Sequence, residues 1–166
     1  MASGKANKTE DANGKVDLGD LPTLSGYMLR RAQFAAFNDF LRFFDDLGIR
    51  PVHYGVMTVI DSNPGLKQSQ ISEALGIKRA NLVAILDTLE RRGIAKREAV
   101  ATDRRSYALR LTEKGASLMK EMRVRAIEHE ERIAGVIGEE GRKQLLKLLH
   151  GVVEAIGPGG DEDGGG

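Results

Sequence analysis

An acid and two arginines stand together just before a short alternating segment of the chain. They are Asp103, Arg104 and Arg105, followed by residues 106–111. A guanidinium group is attracted into a narrow DNA minor groove, where the negative potential is strong. Asp103 is near enough in sequence to accept a hydrogen bond from Arg105 and hold the loop in shape. This stretch predicts an Arg-tipped hairpin, or wing, that contacts DNA. The alternative is a solvated turn whose surface ion pair has little energetic value.

Two short amphipathic patterns upstream predict the elements that would position this wing. Residues 67–75 and 79–92 place apolar side chains so that two helices face each other across a turn containing Gly76. This is a helix-turn-helix, whose second helix can enter the DNA major groove and read base edges. The exposed face of that second helix would carry Lys78, Arg79, Asn81, Ala84 and Thr88.

Arg79 and Asn81 have the side chains best suited to reading bases. Arginine pairs with two acceptors of guanine at once, and asparagine pairs in the same way with adenine. Lys78 would contact phosphate, as would Lys96 and Arg97 at the base of the wing. The alternative is that all of these are ordinary solvated surface residues.

Basic residues are concentrated around these elements. Residues 78–110 contain nine lysines and arginines and four acids, a net charge of +5. The whole chain has a net charge of only +1, so the remainder carries −4. Positive charge collected on one module is the electrostatic footprint of a nucleic-acid-binding protein. A merely solvated face would give the same count, so charge alone leaves both interpretations open.

Helical patterns on both sides of this module predict a mainly α protein with a small β-wing. Thr112 would cap the helix that follows the wing, and Gly138 would break the pattern further on. Two short strands would form the wing on either side of a loop. We expect helices over residues 23–47, 51–61, 113–136 and 139–156, strands over residues 94–98 and 106–111, and a loop over residues 99–105.

The termini and the composition argue against several classes of protein. Residues 1–19 predict a disordered tail, and residues 157–166 predict a flexible acidic tail. The chain has no cysteine and only three scattered histidines, so we expect no metal site. No apolar run approaches the roughly 20 residues that span a membrane, and no phosphate loop or nucleophile elbow is present. We therefore expect a cytoplasmic protein that is not an enzyme, with no cofactor and no membrane partner.

Four segments carry a resemblance to a known family: Gln70-Ile-Ser-Glu-Ala-Leu-Gly-Ile77, Leu89-Glu-Arg-Arg-Gly-Ile94, Asp103-Arg-Arg105 and Leu111-Thr-Glu-Lys-Gly115. In them the chain resembles the MarR family of bacterial transcription regulators, and the helical pattern outside them also fits. The wing followed by Leu-Thr-x-x-Gly is the most specific feature. Lys78 departs from the family pattern, because a small capping residue such as Ser is usual there and Lys cannot cap a helix in that way.

The resemblance implies a homodimeric repressor that acts at the bacterial nucleoid. Residues 20–48 and 113–156 would form an intertwined dimerisation region, and residues 49–112 a winged helix-turn-helix for DNA. Two such modules would bind a pseudo-palindromic double-stranded operator with half-sites about one helical turn apart. The residues independently favour a dimer, because a phenylalanine-rich first helix and a leucine-rich last helix exceed what one small winged domain buries. These phenylalanines are Phe34, Phe37, Phe40, Phe43 and Phe44.

The resemblance also implies an effector pocket between the dimerisation helices and the winged module, commonly for aromatic acids or related small molecules. Residues 26–34 are similar to the start of regulators that sense hydroxycinnamoyl-coenzyme A thioesters such as p-coumaroyl-CoA. Arg30 and Arg31 would suit the phosphates of such a ligand, although a surface ion-pair role is the alternative. Each apolar candidate has the alternative of plain core packing. The candidates are Tyr27, Arg30, Arg31, Phe34, Phe37, Asn38, His53, Tyr54 and Met57.

Two other functions remain open at this point. The fold would also suit a winged-helix module for protein assembly, although the Arg-bearing wing argues against it. A constitutive DNA binder without an effector is the second, because aromatic residues alone do not establish a pocket.

Overall fold

The structure, a computed structural model of the chain, describes residues 16–100 and 103–156. The side chains of residue 100 and of residues 103–106 lie outside this description. So do residues 1–15 of the predicted disordered tail and the whole predicted acidic tail, residues 157–166. The chain falls into two compact units, divided between Asp39 and Phe40.

The first unit contains a short 3-10 helix, Leu21–Thr23, and most of the first α-helix, α1 (Ser25–Phe44). The amide of Gly19 donates to Asp17 Oδ1 at 2.9 Å, so part of the segment predicted as a disordered tail forms a turn. Helix α1 ends three residues earlier than predicted, because residues 45–48 form a turn with Gly48 in the left-handed region.

The second unit contains the remaining elements, and their order agrees with the predicted winged helix-turn-helix. Pro51 is the first residue of α2, as its fixed φ favours. The turn at residues 63–65 leads into the next helix. The elements are α2 (Pro51–Ser62), α3 (Gln68–Leu75), α4 (Arg79–Arg91), β1 (Ala95–Val100), β2 (Asp103–Leu111) and α5 (Glu113–Ile156).

The turn between α3 and α4 is tightly held. Gly76 has φ 60° and ψ 27°, a left-handed conformation that glycine adopts without steric cost. Ser72 Oγ donates to the carbonyl of Ile77 at 2.6 Å, and the Ile77 amide donates back to the Ser72 carbonyl at 3.0 Å. Lys78, the N-cap of α4, makes no side-chain capping hydrogen bond, as its chemistry predicts.

The wing is an antiparallel pair of strands that is longer than predicted. Ala95 lies opposite Leu111, and the register shifts between Ala99 and Val100. Val100 pairs with Asp103, so the prediction that residues 99–105 form a loop is wrong. The ladder continues to this pair because antiparallel strands can be joined by a very short connection. A backbone bridge between Lys67 and Ala108 also joins the wing to the start of α3.

One hydrophobic core in the second unit holds these elements together. It includes three leucines of α4, which fix the orientation of that helix. Phe40 and Phe44 stack with ring centroids 4.0 Å apart, and His129 is buried with its ring edge-on to Phe40 and Phe43. The buried apolar side chains are Phe40, Phe44, Ile49, Val56, Met57, Ile60, Ile71, Leu82, Leu86, Leu89, Ile94, Ala95, Leu109, Met119 and Met122.

Helix α5 is interrupted at Gly138, which confirms the predicted break. Gly138 has φ 73° and ψ 160°, a backbone conformation open to glycine and costly for other residues. Beyond it the chain turns back, as shown by the distance of 3.3 Å between Arg142 Nε and Glu130 Oε2. Twelve residues of a straight helix would rise about 18 Å. The kink therefore brings the two segments of α5 side by side at this point.

The start of α5 is joined to the end of α4 by a hydroxyl and a glycine. Thr112 Oγ1 accepts a hydrogen bond from the amide of Gly115 at 3.0 Å, which confirms the predicted cap. The same hydroxyl donates to the carbonyl of Gly93 at 2.7 Å. A Cβ atom placed on Gly115 would lie closer than 3.0 Å to the Ile94 carbonyl oxygen. The helix therefore approaches the backbone before β1 at a distance that only glycine allows.

We predict that Gly115→Ala lowers the free energy of unfolding by about 1–3 kcal/mol, because the new methyl group meets backbone that cannot move aside. Gly135→Ala, in the same helix, is the matched control, since nothing lies within 4 Å of a Cβ there. It should leave stability unchanged or raise it by up to about 1 kcal/mol. Urea unfolding of both variants measures the difference, and equal stabilities would show that the close approach is absent.

Candidate nucleic-acid interface and ligand groove

Helix α4 presents one face to the core and the opposite face to solvent. Leu82, Leu86 and Leu89 are completely buried, which leaves Arg79 and Asn81 on the exposed side. Lys78 and Ala84 are exposed as well, and Thr88 is half-buried. The structure thus brings the predicted base-reading side chains together on one surface.

Two of these residues are engaged within the helix itself. Thr88 Oγ1 donates to the carbonyl of Ala84 at 2.9 Å and accepts from Arg91 Nη2 at 3.2 Å. The N-terminal half of the exposed face borders an open concavity of about 690 Å³. This concavity is lined by Val52, Gly76, Ile77, Lys78, Asn81, Ala84 and Ile85.

Arg97, a predicted phosphate contact, is held by two carboxylates of α4. Its guanidinium group forms an ion pair with Glu90, and Nη2 lies 2.8 Å from Asp87 Oδ1. The Arg97 amide also donates to Glu90 Oε1 at 2.8 Å. Because two carboxylates of α4 hold this side chain, it is four-fifths buried. Arg97 instead fixes β1 of the wing against α4.

The other basic residues at the base of the wing share one acid. Lys96 Nζ lies 2.7 Å from Glu98 Oε1, and Arg110 Nε lies 2.9 Å from Glu98 Oε2. The hydrogen bond from Lys96, with that from Arg110, holds the pKa of Glu98 below its usual value. Lys96 remains half exposed and stays a candidate for phosphate contact. Asp103, Arg104 and Arg105 have their backbone in β2, and their side chains lie outside the described part of the chain.

A second open groove, of about 480 Å³, lies between α2 and the two segments of α5. Its size is within the range of about 300–1,000 Å³ that small-molecule sites occupy. Tyr54, a predicted effector-binding residue, forms part of its wall. The other lining residues are Arg123, Ala126, Ile127, Glu130, Glu131, Ala134, Glu139 and Arg142.

Both arginines of this groove already have carboxylate partners. Arg123 Nη2 lies 2.7 Å from Asp61 Oδ2. Arg142 contacts Glu130 at 3.3 Å and Glu139 at 3.8 Å. The wall of the groove carries the carboxylates of Glu130, Glu131 and Glu139 and the two guanidinium groups, which gives it a net charge of −1. The groove therefore favours the uncharged part of a ligand over a diphosphate.

The other predicted effector-binding residues lie in both units. In the first unit, the Arg30 guanidinium stands 5.9 Å from the Phe34 ring centroid, and Arg31 stands 5.9 Å from that of Tyr27. Arg31 Nη1 also donates to Tyr27 Oη at 3.2 Å. Of the remaining candidates there, Phe37 and Asn38 are exposed.

In the second unit, Met57 and His53 differ in their surroundings. Met57 is completely buried in the core and does not line the groove of about 480 Å³. His53 is half-buried, and its Nδ1 accepts from the amide of Arg50 at 3.3 Å. Burial, together with the nearby charges of Arg92 and Arg50, holds the pKa of His53 below its usual value.

Sequence reasoning missed most of the groove. Arg123, Glu130 and Arg142 come from a helix that the pattern assigned only to dimerisation. The predicted break at Gly138 was the one available signal that two parts of this helix could face each other. Within the described residues, no helix is long and apolar enough to cross a membrane. The same residues contain no group of three or more His, Asp or Glu that could hold a metal ion.

Comparison with known proteins agrees with this fold. The model of the MarR family matches residues 47–106. A relative from Thauera aromatica, "Putative transcriptional regulatory protein for hcr operon", is 33% identical over 125 residues, which are 75% of this chain and 75% of that protein.

Two solved structures of the same repressor are similar to this chain over most of its length. "Transcriptional repressor, CouR, bound to a 23-mer DNA duplex" is 38% identical with a TM-score of 0.80, covering 84% of this chain and 99% of that one. "Transcriptional repressor, CouR, bound to p-coumaroyl-CoA" is 35% identical with a TM-score of 0.78, covering 84% and 98%.

The fold and the exposed face of α4 define a DNA-binding protein of the winged helix-turn-helix class. The chain belongs to the MarR family. It is a transcriptional repressor of the MarR type.

We predict that stability falls as the pH drops below about 6.5, the ordinary value for histidine. The folded protein holds the pKa of His53 lower than the unfolded chain does, so the unfolded state binds more protons in this range. The contribution is fully present above pH 6.5 and is lost as the pH falls through the folded-state pKa. Urea midpoints at pH 8 and pH 5.5 should differ less for His53→Gln than for the wild type. His150→Gln, at an exposed histidine, should behave as the wild type.

Proposed function

We propose that this protein is a homodimeric repressor that binds a pseudo-palindromic operator and is released by an aromatic acyl-CoA, such as p-coumaroyl-CoA. The observation that carries the DNA-binding part is the exposed face of α4, with Arg79 and Asn81 outward above three buried leucines. A repressor acts at the chromosome, so we place it in the bacterial cytoplasm.

In this proposal α4 enters the major groove and the wing lies beside it. Arg79 and Asn81 offer the donor and acceptor patterns that recognise guanine and adenine. Lys78 and Lys96 would contact phosphate, while Arg104 and Arg105 of β2 would reach the backbone or the minor groove. Arg97 contributes indirectly, because its ion pairs with Glu90 and Asp87 set the angle of the wing.

The apolar surface of the dimerisation helices supports a homodimer. In α1, Phe34 is 57% exposed and Phe37 is 41% exposed. In the last part of α5, Leu148 is 61% exposed and Val153 is 63% exposed. Large apolar patches are rare on a monomer and mark association sites, so we propose that each of these two helix faces packs against a second copy of the chain. A dimer would place two α4 helices at half-sites roughly 34–36 Å apart.

The effector assignment rests on the groove and on the relatives. CouR, at 35% identity, has a structure bound to p-coumaroyl-CoA. Tyr54, Ala126 and Ile127 offer an aromatic and aliphatic wall for a phenylpropanoid group. Because this wall carries a net charge of −1, the phosphates of coenzyme A would lie outside it. Arg30 and Arg31, exposed on α1, are our candidates for those phosphates.

We predict that p-coumaroyl-CoA releases the protein from DNA taken from upstream of its own gene. Fluorescence anisotropy of a labelled duplex measures this, with a scrambled duplex as the reference for specificity. Free p-coumarate and free coenzyme A are the matched controls, because each supplies only half of the ligand. Both should release the DNA more weakly, since each lacks one of the two groups of the ligand that the protein would bind.

The possible outcomes separate the parts of this proposal. Specific binding that no thioester reverses would contradict the effector assignment and favour a constitutive DNA binder. Release by p-coumarate equal to that by the thioester would contradict a role for the phosphates. Equal affinity for operator and scrambled DNA would count against this operator.

We predict that Arg105→Ala weakens operator binding by about 10- to 150-fold, which corresponds to the roughly 1.5–3 kcal/mol of a hydrogen bond to a charged group, and leaves the dimer intact. Lys120→Ala removes one positive charge from an exposed position on α5 and is the control. Anisotropy titrations give the affinities, and analytical ultracentrifugation gives the oligomeric state. Unchanged affinity in the Arg105 variant would contradict the assignment of the wing.

A further inference from the structure

A single arginine joins the end of the recognition helix to the turn that follows α1. Arg92 is the C-cap of α4, and its guanidinium group reaches back 45 residues in sequence. Nη2 donates to the carbonyl of Leu47 at 2.6 Å, and Nη1 donates to the carbonyl of Gly48 at 2.8 Å. Because the two nitrogens belong to one rigid planar group, both carbonyls are held in a fixed position relative to α4.

The backbone of Arg92 is anchored as firmly as its side chain. Its amide donates to the carbonyl of Thr88 at 3.2 Å, and its carbonyl accepts from Lys114 Nζ at 2.8 Å. Arg92 thus connects α4, the turn at residues 45–48 and the first turn of α5. Leu47 and Gly48 lie just beyond the C-terminal end of α1, where the negative end of the helix dipole favours a cation.

The same turn is held from its other side by the helix that forms the ligand groove. Arg125 Nη1 donates to the carbonyl of Phe43 at 2.8 Å, and Arg125 Nη2 lies 2.8 Å from Asp46 Oδ2. In the sequence, Arg125 lies between the groove residues Arg123 and Ala126. The turn is therefore a junction between a helix that would contact the ligand and a helix that would contact DNA.

Helix α2, the other wall of the groove, begins directly after this junction. Arg50 precedes it, and Tyr54, one turn into α2, lines the groove. A ligand that displaces Tyr54 or the helix around Arg125 would therefore act on both sides of the turn at residues 45–48. Arg92 is the side chain through which that displacement would reach the end of α4.

We propose that Arg92 is a positioning residue that couples ligand binding in the groove to the orientation of the recognition helix. The inference rests on the proposed function, because it needs an effector that lowers operator affinity. A ligand changes DNA affinity only if it stabilises a geometry in which the two α4 helices are misplaced. Arg92 transmits that change without contacting either the ligand or the DNA bases.

The test is the coupling factor, the ratio of operator Kd with saturating p-coumaroyl-CoA to operator Kd without it. Anisotropy titrations of the full-length protein give both values, and calorimetry gives the affinity of the free protein for the thioester. We expect a wild-type factor in the range of about 5–150 that coupled sites usually show. Arg92→Gln should bring the coupling factor close to 1. The affinity of this variant for the thioester should stay within about twofold of the wild-type affinity, because Arg92 does not line the groove.

Two further variants separate coupling from folding. Arg92→Lys keeps the charge and can reach only one carbonyl at a time, so it should retain a measurable part of the coupling. Arg91→Gln removes the neighbouring arginine, whose side chain bonds to Asp87 and Thr88 within α4. It should keep the wild-type coupling factor even if its charge affects operator affinity. Thermal unfolding of each variant shows whether it is folded, and if Arg92→Gln is not, Arg92→Lys carries the comparison.

Three results would overturn the inference. If Arg92→Gln or the folded Arg92→Lys keeps the wild-type coupling factor while operator affinity falls equally with and without the thioester, Arg92 has only a structural role. If Arg91→Gln loses coupling to the same extent, the effect belongs to the charge at the end of α4. If the wild type binds operator and p-coumaroyl-CoA releases none of it, the effector part of the proposed function fails together with the coupling role.

Discussion

The close approach between the start of α5 and the end of α4 is the constraint on which the rest of the structure depends. One hydroxyl, that of Thr112, donates to the carbonyl of Gly93 and accepts from the amide of Gly115. The absence of a side chain at Gly115 allows α5 to pack against the carbonyl of Ile94. The chain passes through this contact twice, at residues 93–94 before the wing and at residues 112–115 after it. The start of β1 and the end of β2 are therefore held at fixed positions. This contact explains why the Leu-Thr-x-x-Gly segment has a threonine and, three residues later, a glycine.

The recognition helix is consequently fixed at several places along its length. Leu82, Leu86 and Leu89 hold it to the core, and Arg97 of the wing is bound to Asp87 and Glu90 on its flank. Its C-terminal end is tied to the turn at residues 45–48 through Arg92. Base recognition requires side chains placed to within a fraction of an ångström, and a helix held in this way can supply that placement. Its orientation then depends on the elements to which it is tied.

Much of the fold could be predicted from the sequence because it depends on local rules. Pro51, Gly76 and Gly138 mark helix boundaries through their backbone preferences, and Thr112 caps a helix through a short-range hydrogen bond. The periodicity of the leucines in α4 determined which face would be exposed. The predicted strands were too short, because the pairing of Val100 with Asp103 depends on the partner strand and not on either segment alone.

The site could be predicted less completely, because it depends on contacts between distant parts of the chain. Arg97 has the charge of a phosphate contact, and only the fold shows that Glu90 and Asp87 hold it. Tyr54 and Met57 lie one turn apart on α2, yet one lines the groove and the other is buried. No local pattern separates them, since the difference arises from which helix packs above each residue. The groove itself requires the two segments of α5 to lie side by side.

These ion pairs also affect how many positive charges of the winged module are available to a ligand. The formal charge of +5 over residues 78–110 counts Arg97, Arg110 and Lys96 as available cations. All three contact carboxylates of the same module, and Arg97 is largely withdrawn from solvent. Arg79, by contrast, is exposed beside Asn81 on the outer face of α4. We therefore expect recognition of DNA by this module to depend on the cations that its own acids leave accessible, while Arg97 holds the wing against α4.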